Sequence, residues 1–406
     1  MPHVVAGLAT VESIINPDKI FFQERGIKSL INKVTALDTR KKVLTLQNGD
    51  SLSYDKLLIA TGAKPKVPPF PGRDLEGVYT LRSTPEAEKM KIFIEERSVK
   101  KMIIVGAGAI GLELGTLLLT TRPSLDITVV EFLDRPLPPM LDSELALTLM
   151  EYLTQEGIRL KLGNRVERII GKDGFVSGVE LSTGEIIPAD MVVLSIGVQA
   201  NLELAKQIGL ELGDIGIKVN KFMETSNPDI FAAGDCVQME SPITKKPIPG
   251  QNRSTAVIQG RLVAKQLAGY NIEFPGVLNN LAVKLFDKSI ASVGLIEEFA
   301  NKEGIKTVSS VVESRNKHKM IKGQIPWTLK LVFDKNSQKL IGGQILSDSE
   351  APMKEIDTIN YAIRSEATVS DLTTIMCAAH PDLSSEPSAE PIALAAEQSL
   401  QKFKAI

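Results

Sequence analysis

The run Gly106-Ala107-Gly108-Ala109-Ile110-Gly111 constrains this chain more than any other feature. It follows an apolar segment over residues 102–105, read as a strand, and opens a helical pattern over 110–121. In that context Gly106 permits a tight turn, Gly108 lets backbone N–H groups approach a pyrophosphate, and Gly111 allows close helix–strand packing. The helix N-terminus adds partial positive charge for phosphates. A further strand over 127–131 ends at Glu131, whose carboxylate can accept hydrogen bonds from a ribose diol and would repel a 2′-phosphate. Arg135 lies close enough in sequence to host such a phosphate, so NADH is expected and NADPH is the alternative. An ordinary glycine turn in an α/β protein is the competing reading of the same residues.

The length of 406 residues, at roughly 150 per domain, corresponds to two or three domains. Lys plus Arg number 47 against 49 Asp plus Glu, a net charge of −2 that gives no electrostatic reason to expect a nucleic-acid partner. The two cysteines, Cys236 and Cys377, rule out a disulfide framework and point to a reducing cytoplasm. The most lipid-like run, residues 102–119, carries Glu113 and suits a soluble strand–turn–helix better than a membrane span. No export signal opens the chain. Met1-Pro2-His3-Val4 begins mid-pattern, with no strand or helix of its own before it.

Three blocks separate at turn-rich joints. The first holds a helix over 14–26, entered from Asn16-Pro17-Asp18, then short strands over 29–37, 42–46, 51–54 and 57–60. The second opens at Ser83-Thr84-Pro85-Glu86, a capped helix start, and alternates strands and helices to a buried strand over 191–196. The third, after Gly269, runs strands followed by helices, an α+β module.

In order along the chain stand Ala60-Thr61-Gly62, the 106–111 loop, Ser195-Ile196-Gly197-Val198 with Asn201, the stretch 225–235 ending in Gly234-Asp235, Gln259-Gly260-Arg261, and His380-Pro381. With these motifs the chain resembles the pyridine nucleotide–disulfide oxidoreductases, especially the NADH oxidase and coenzyme A–disulfide reductase branch. The resemblance implies two Rossmann-like nucleotide-binding domains and a C-terminal α+β dimerisation domain. It divides them as an FAD-binding domain over 1–82 and 200–275, an NAD(P)H-binding domain over 83–199, and a dimerisation domain over 276–406. It also implies a cytoplasmic homodimeric flavoprotein passing hydride from NADH through FAD to oxygen, a disulfide such as coenzyme A disulfide, or another small-molecule acceptor. Thr61 and Gly62 would lie near the flavin nucleotide, and Asp235, beside Gly234, would accept a hydrogen bond from a ribityl hydroxyl. The helix over 254–267 would aim its N-terminal amides at the flavin pyrimidine edge. Ile110 and Glu113 match positions that shield the flavin and contact the nicotinamide, and Gly197 would line the nicotinamide side.

The pattern departs at its beginning. The family opens with another strand–glycine loop–helix for the ADP half of FAD, then the redox cysteine; residues 1–7 resemble the segment just after that cysteine. The FAD domain is therefore expected to be N-terminally incomplete, and a flavin-free nucleotide-binding or interaction protein without redox turnover is the alternative function. Cys236 reads as a small buried hydrophobe, and Cys377 precedes His380 by three residues without fitting any metal signature. By resemblance His380 would serve as acid–base for a partner-subunit thiol, oriented by a glutamate. Asp382 replaces the usual threonine there, and Glu386 lies one position later than the pattern expects; a dimer-interface histidine is the other reading. No metal site is expected.

Overall fold

The computed structural model describes residues 1–14 and 19–405, which form two compact units. One comprises Met1–Gly7, Val67–Ile196 and Leu278–Ile406; the other comprises Leu8–Lys66 and Gly197–Val277.

The first unit is built on a five-stranded sheet in the order Val78–Thr80, Met191–Leu194, Lys101–Val105, Asp126–Val130, Arg159–Lys161, with every neighbour parallel. Strands buried on both faces need apolar residues throughout, and Met102, Ile103, Ile104, Ile127, Val129, Val192 and Val193 supply them. The crossovers are the helices Thr84–Glu96, Ala109–Thr121 and Ser143–Gln155. The first of these carries the capping box read from Ser83 and Glu86, each satisfying the other's backbone. A three-stranded antiparallel sheet, Val166–Lys172, Phe175–Leu181 and Ile186–Pro188, interrupts the parallel order.

The C-terminal part of this unit is a five-stranded antiparallel sheet in the order Leu281–Leu285, Lys288–Gly294, Leu340–Ser347, Pro326–Asp334, Thr307–Arg315. The helix Glu355–Arg364 covers it with Ile356, Ile359 and Ile363, an i, i+3, i+7 apolar face. The helix Pro391–Lys404, for which the sequence was given no element, packs against the other edge of the sheet and buries Ile392, Ala395, Ala396 and Ser399. Ile392 is the one large apolar residue on that face, a weak periodic signal. Pro2–Ala6 is a short helix with Pro at its first position, packed on Ala109–Thr121.

The second unit holds an antiparallel sheet of Val34–Asp38, Val43–Leu46 and Ser51–Ser53, and a parallel pair of Leu57–Ile59 with Ile230–Ala232. Its core gathers Ile59, Ile230, Phe231, Ala232, Cys236, Leu262 and Val263. The helical start at Asn16-Pro17-Asp18 lies outside the described residues; Lys19–Glu24 is helical. The strand expected over 29–37 begins only at Val34.

Gly342, on the central strand of the C-terminal sheet, has no room for a methyl group because a Cβ there would collide with the Leu295 carbonyl. Gly342→Ala should therefore lower unfolding free energy by about 1–3 kcal/mol, read from the urea midpoint at constant m-value.

Candidate functional site: a dinucleotide loop

Gly106 follows the strand Lys101–Val105 and takes a φ of 107°, a region that side chains disfavour. A Cβ there would also strike the carbonyl of Ser195 on the neighbouring strand end, so this corner admits only glycine. One at Gly111 would approach the Gly106 carbonyl oxygen to 2.5 Å and the Ile104 side chain to 3.0 Å, which fixes the close helix–strand contact. Gly108 is different. It is the N-cap of Ala109–Thr121 in extended conformation, and a Cβ on it would meet nothing within 4 Å. Open space therefore lies in front of the helix N-terminus, where first-turn N–H groups lack intrahelical acceptors and favour an anion. The two outer glycines are required by packing, whereas the middle one keeps a cradle clear.

Glu131 ends beside this loop. Its Oε2 accepts from Ala107 N at 2.8 Å and its Oε1 from Leu133 N at 2.9 Å, so the carboxylate is fixed in place. Each oxygen retains acceptor capacity for a diol. Arg135 is only 7% exposed. Its Nε donates to the Leu141 carbonyl at 3.1 Å, and its guanidinium pairs with Glu298 at 2.7 Å and Asp134 at 3.1 Å. The arginine that could have hosted a 2′-phosphate is committed to the protein.

Ile110 is 45% exposed on the first turn of the same helix, and Glu113 lies one turn further on. Burial pushes the Glu113 carboxyl above the usual carboxylate range, against the opposing influence of His3, whose Nδ1 lies 3.5 Å away. His3 showed no usable pattern in the sequence, because its partner is 110 residues distant.

In the second unit, Thr61 and Asn201 tie two strand ends together. Thr61 Oγ1 donates to the Asn201 carbonyl at 3.0 Å, Asn201 Nδ2 to the Thr61 carbonyl at 2.9 Å, and Asn201 N to the Gly62 carbonyl at 2.9 Å. The same two residues line a cavity of about 800 Å³ with Leu204 and Gln207. Gly197 and Gly234 both have positive φ, and a Cβ would find open space at the first and only Ala256 at 3.7 Å at the second. Gly234 N donates to Gln259 Oε1 at 2.7 Å, while the buried Nε2 of Gln259 has no partner among the described residues. Asp235 follows Gly234 near the helix Arg253–Leu267, whose N-cap Asn252 accepts from Thr255 N. These residues fit the ribityl and ring end of a flavin: a carboxylate acceptor, glycine backbone open to approach, and a helix N-terminus. Among the described residues no second strand–glycine loop–helix offers a cradle for its adenylate end.

Cys236 is fully buried, with its Sγ 3.3 Å from the Ala233 carbonyl, and burial pushes its thiol up. Cys377 is exposed. His380 is exposed too; its Nδ1 accepts from Asp382 N at 3.3 Å. Glu386 does not orient it, but stands 3.2 Å from Lys319 and 3.8 Å from His318 Nε2. Asp142, Glu144 and Glu297 converge as metal ligands might, but the ammonium of Lys330 sits among them.

An all-parallel sheet with a glycine loop at a strand's C-terminal end, a helix N-terminus facing open space and an acidic residue ending the next strand defines a dinucleotide-binding protein. Residues 1–259 match the family pattern described as pyridine nucleotide-disulphide oxidoreductase, and residues 281–390 match its dimerisation domain. The chain is 33% identical to an NADH oxidase of Methanocaldococcus jannaschii, over 99% of this chain and 90% of that protein. It is 32% identical to a CoA-dependent NAD(P)H sulfur oxidoreductase of Pyrococcus abyssi, over 91% and 82% respectively. The structure of a NAD-dependent persulfide reductase from A. fulgidus superposes with a TM-score of 0.93 at 33% identity, covering all of this chain and 76% of that one. The chain belongs to the pyridine nucleotide-disulphide oxidoreductase family. It is an oxidoreductase of the class that uses NAD(P)H.

Because burial holds the Glu113 carboxyl up, the native state binds a proton there more readily than the unfolded chain does. Wild-type stability at this group therefore grows as pH falls through the raised value. Glu113→Gln should melt higher than wild type near pH 8, and the gap should close on acidification, as followed by thermal melts across pH.

Proposed function

We propose that the chain binds NADH at Gly106–Gly111 and delivers its hydride, with FAD, to a small-molecule acceptor: oxygen, or a disulfide or persulfide such as that of coenzyme A. The observation that carries this is the contrast between Gly106 and Gly111, which packing forbids to be anything larger, and Gly108, where only an incoming ligand needs the space. Gly108 and the first-turn amides bind the pyrophosphate. Glu131, held by Ala107 N and Leu133 N, orients the adenosine ribose. With Arg135 engaged by Glu298 and Leu141, that arginine is not free to receive a 2′-phosphate, which favours NADH over NADPH. Ile110 and Glu113 face the nicotinamide end, where burial raises the Glu113 carboxyl above the usual carboxylate range. When bound, FAD takes the hydride and passes the electrons on to the acceptor. Thr61, Gly62, Gly197, Gly234 and Asp235 would hold it, with Asp235 on a ribityl hydroxyl.

The domains run as FAD-binding over 1–82 and 200–275, NAD(P)H-binding over 83–199 and dimerisation over 276–406. The last pairs two copies, and His380 serves at that interface as an acid–base group. The work takes place in the cytoplasm; no helix among the described residues is long and apolar enough to cross a membrane.

Protein reconstituted with FAD should be yellow and bleach anaerobically on adding NADH. Gly108→Val should abolish bleaching while leaving the protein folded, at most with the modest loss of a poorer N-cap, since a Cβ there meets nothing within 4 Å; bleaching at the wild-type rate would contradict the site. Colourless protein that still binds NADH would retain the nucleotide site and remove the flavin reaction. In equilibrium titrations NADH should bind more tightly than NADPH, and Glu131→Ala should narrow the gap.

A further inference from the structure

We infer that Lys330, in the C-terminal antiparallel sheet, is a positioning residue for the NADH loop; the inference rests on the reading of that loop as the NADH site. Lys330 is 1% exposed in the middle of the strand Pro326–Asp334. Such a lysine stays charged in the interior only where anions surround it. Here Nζ lies 2.9 Å from Asp142 Oδ2 and 2.8 Å from Glu297 Oε2, with Glu144 as a third partner. Its cross-strand neighbour Gln344 reaches the same aspartate, donating from Nε2 to Asp142 Oδ2 at 2.6 Å and accepting from Asp142 N at 2.8 Å.

Asp142 is the N-cap residue of Ser143–Gln155, but it makes no side-chain cap there. Its carboxylate accepts instead from Glu297 N and Glu298 N, both at 3.1 Å, at the start of the helix Glu297–Lys302. Asp142 ends the loop that begins at Glu131. The rest of the loop is pinned in series. Arg135 bonds Glu298 and the Leu141 carbonyl. Leu137, fully buried with a φ of 49°, donates its N–H to the Ala107 carbonyl at 2.9 Å. Ala107 N in turn donates to Glu131. The backbone of the glycine loop is thus held on one side by Glu131 and on the other by a loop whose far end is fastened to Lys330 and Gln344. A strand position more than two hundred residues away in sequence thus bears on where Ala107 sits.

The consequence is a coupling confined to binding. Lys330 touches neither the cradle nor the reacting atoms, so its loss should weaken NADH binding without slowing turnover once NADH is saturating. Titration of bound-NADH fluorescence reads the Kd directly, without turnover or flavin. For Lys330→Met the Kd, and the KM of the holoenzyme, should rise between about twofold and thirtyfold, with kcat unchanged. Val332→Ala on the same strand removes buried side chain but none of the hydrogen bonds or ion pairs to Asp142. It should lower the melting temperature and leave the Kd at the wild-type value. Arg135→Gln, which cuts the chain of contacts nearer the loop, should raise the Kd in the same range and carries the test if Lys330→Met does not fold. A wild-type Kd in the variant that carries the test, or an equal rise in Val332→Ala, would overturn the inference. Wild-type protein that does not bind NADH would instead overturn the reading of the loop.

Discussion

In the dinucleotide-binding half, Gly106 and Ser195 lie at the ends of two adjacent parallel strands with no room for a Cβ between them. Gly106 N donates to the Val130 carbonyl at 2.8 Å, which ties the loop to the strand on its other side. A side chain at Gly106 would meet the Ser195 carbonyl, and one at Gly111 would meet the Gly106 carbonyl. The strand Lys101–Val105, its two neighbours and the helix Ala109–Thr121 can therefore come together only with these glycines. At Gly108, the N-cap of that helix, a Cβ would by contrast meet nothing within 4 Å. Function at this end of the molecule depends on a contact too tight for Cβ.

Much of that half was legible in the sequence because its signals are local. A strand buried on both faces announces itself in Met102-Ile103-Ile104-Val105, and the capping box at Ser83 and Glu86 marks a helix start within four residues. What could not be read shares a different character. His3 meets Glu113, Glu386 meets Lys319 and His318 rather than His380, and Arg135 is consumed by Glu298. Each pairing depends on a partner far away in the chain, and no spacing encodes it. The helix Pro391–Lys404 is hard to read because its buried face holds one large apolar residue, Ile392, with Pro391, two alanines and a serine. Lys330 is the extreme case: a lone charge among Leu329, Leu331 and Val332 looks like a solvated strand position until its three carboxylates are known.

The C-terminal sheet thereby takes a part in the nucleotide site that its own sequence does not suggest. Replacing the buried ion cluster with apolar side chains of equal volume would cost little stability by general experience. Its value here lies in direction, since hydrogen bonds to Asp142 fix the orientation of a loop in a way apolar packing would not. The proposed flavin side is held by different means: Thr61 and Asn201 exchange hydrogen bonds, and Gln259 accepts from Gly234 N.

The central claim is that NADH lies on the glycine loop with its ribose at Glu131. Amide hydrogen exchange with and without NADH tests it most directly, because it reports where on the chain the ligand slows exchange. Protection should rise over residues 107–113 and 131–137 together. Protection confined to other segments, or none at saturating NADH, would contradict the account.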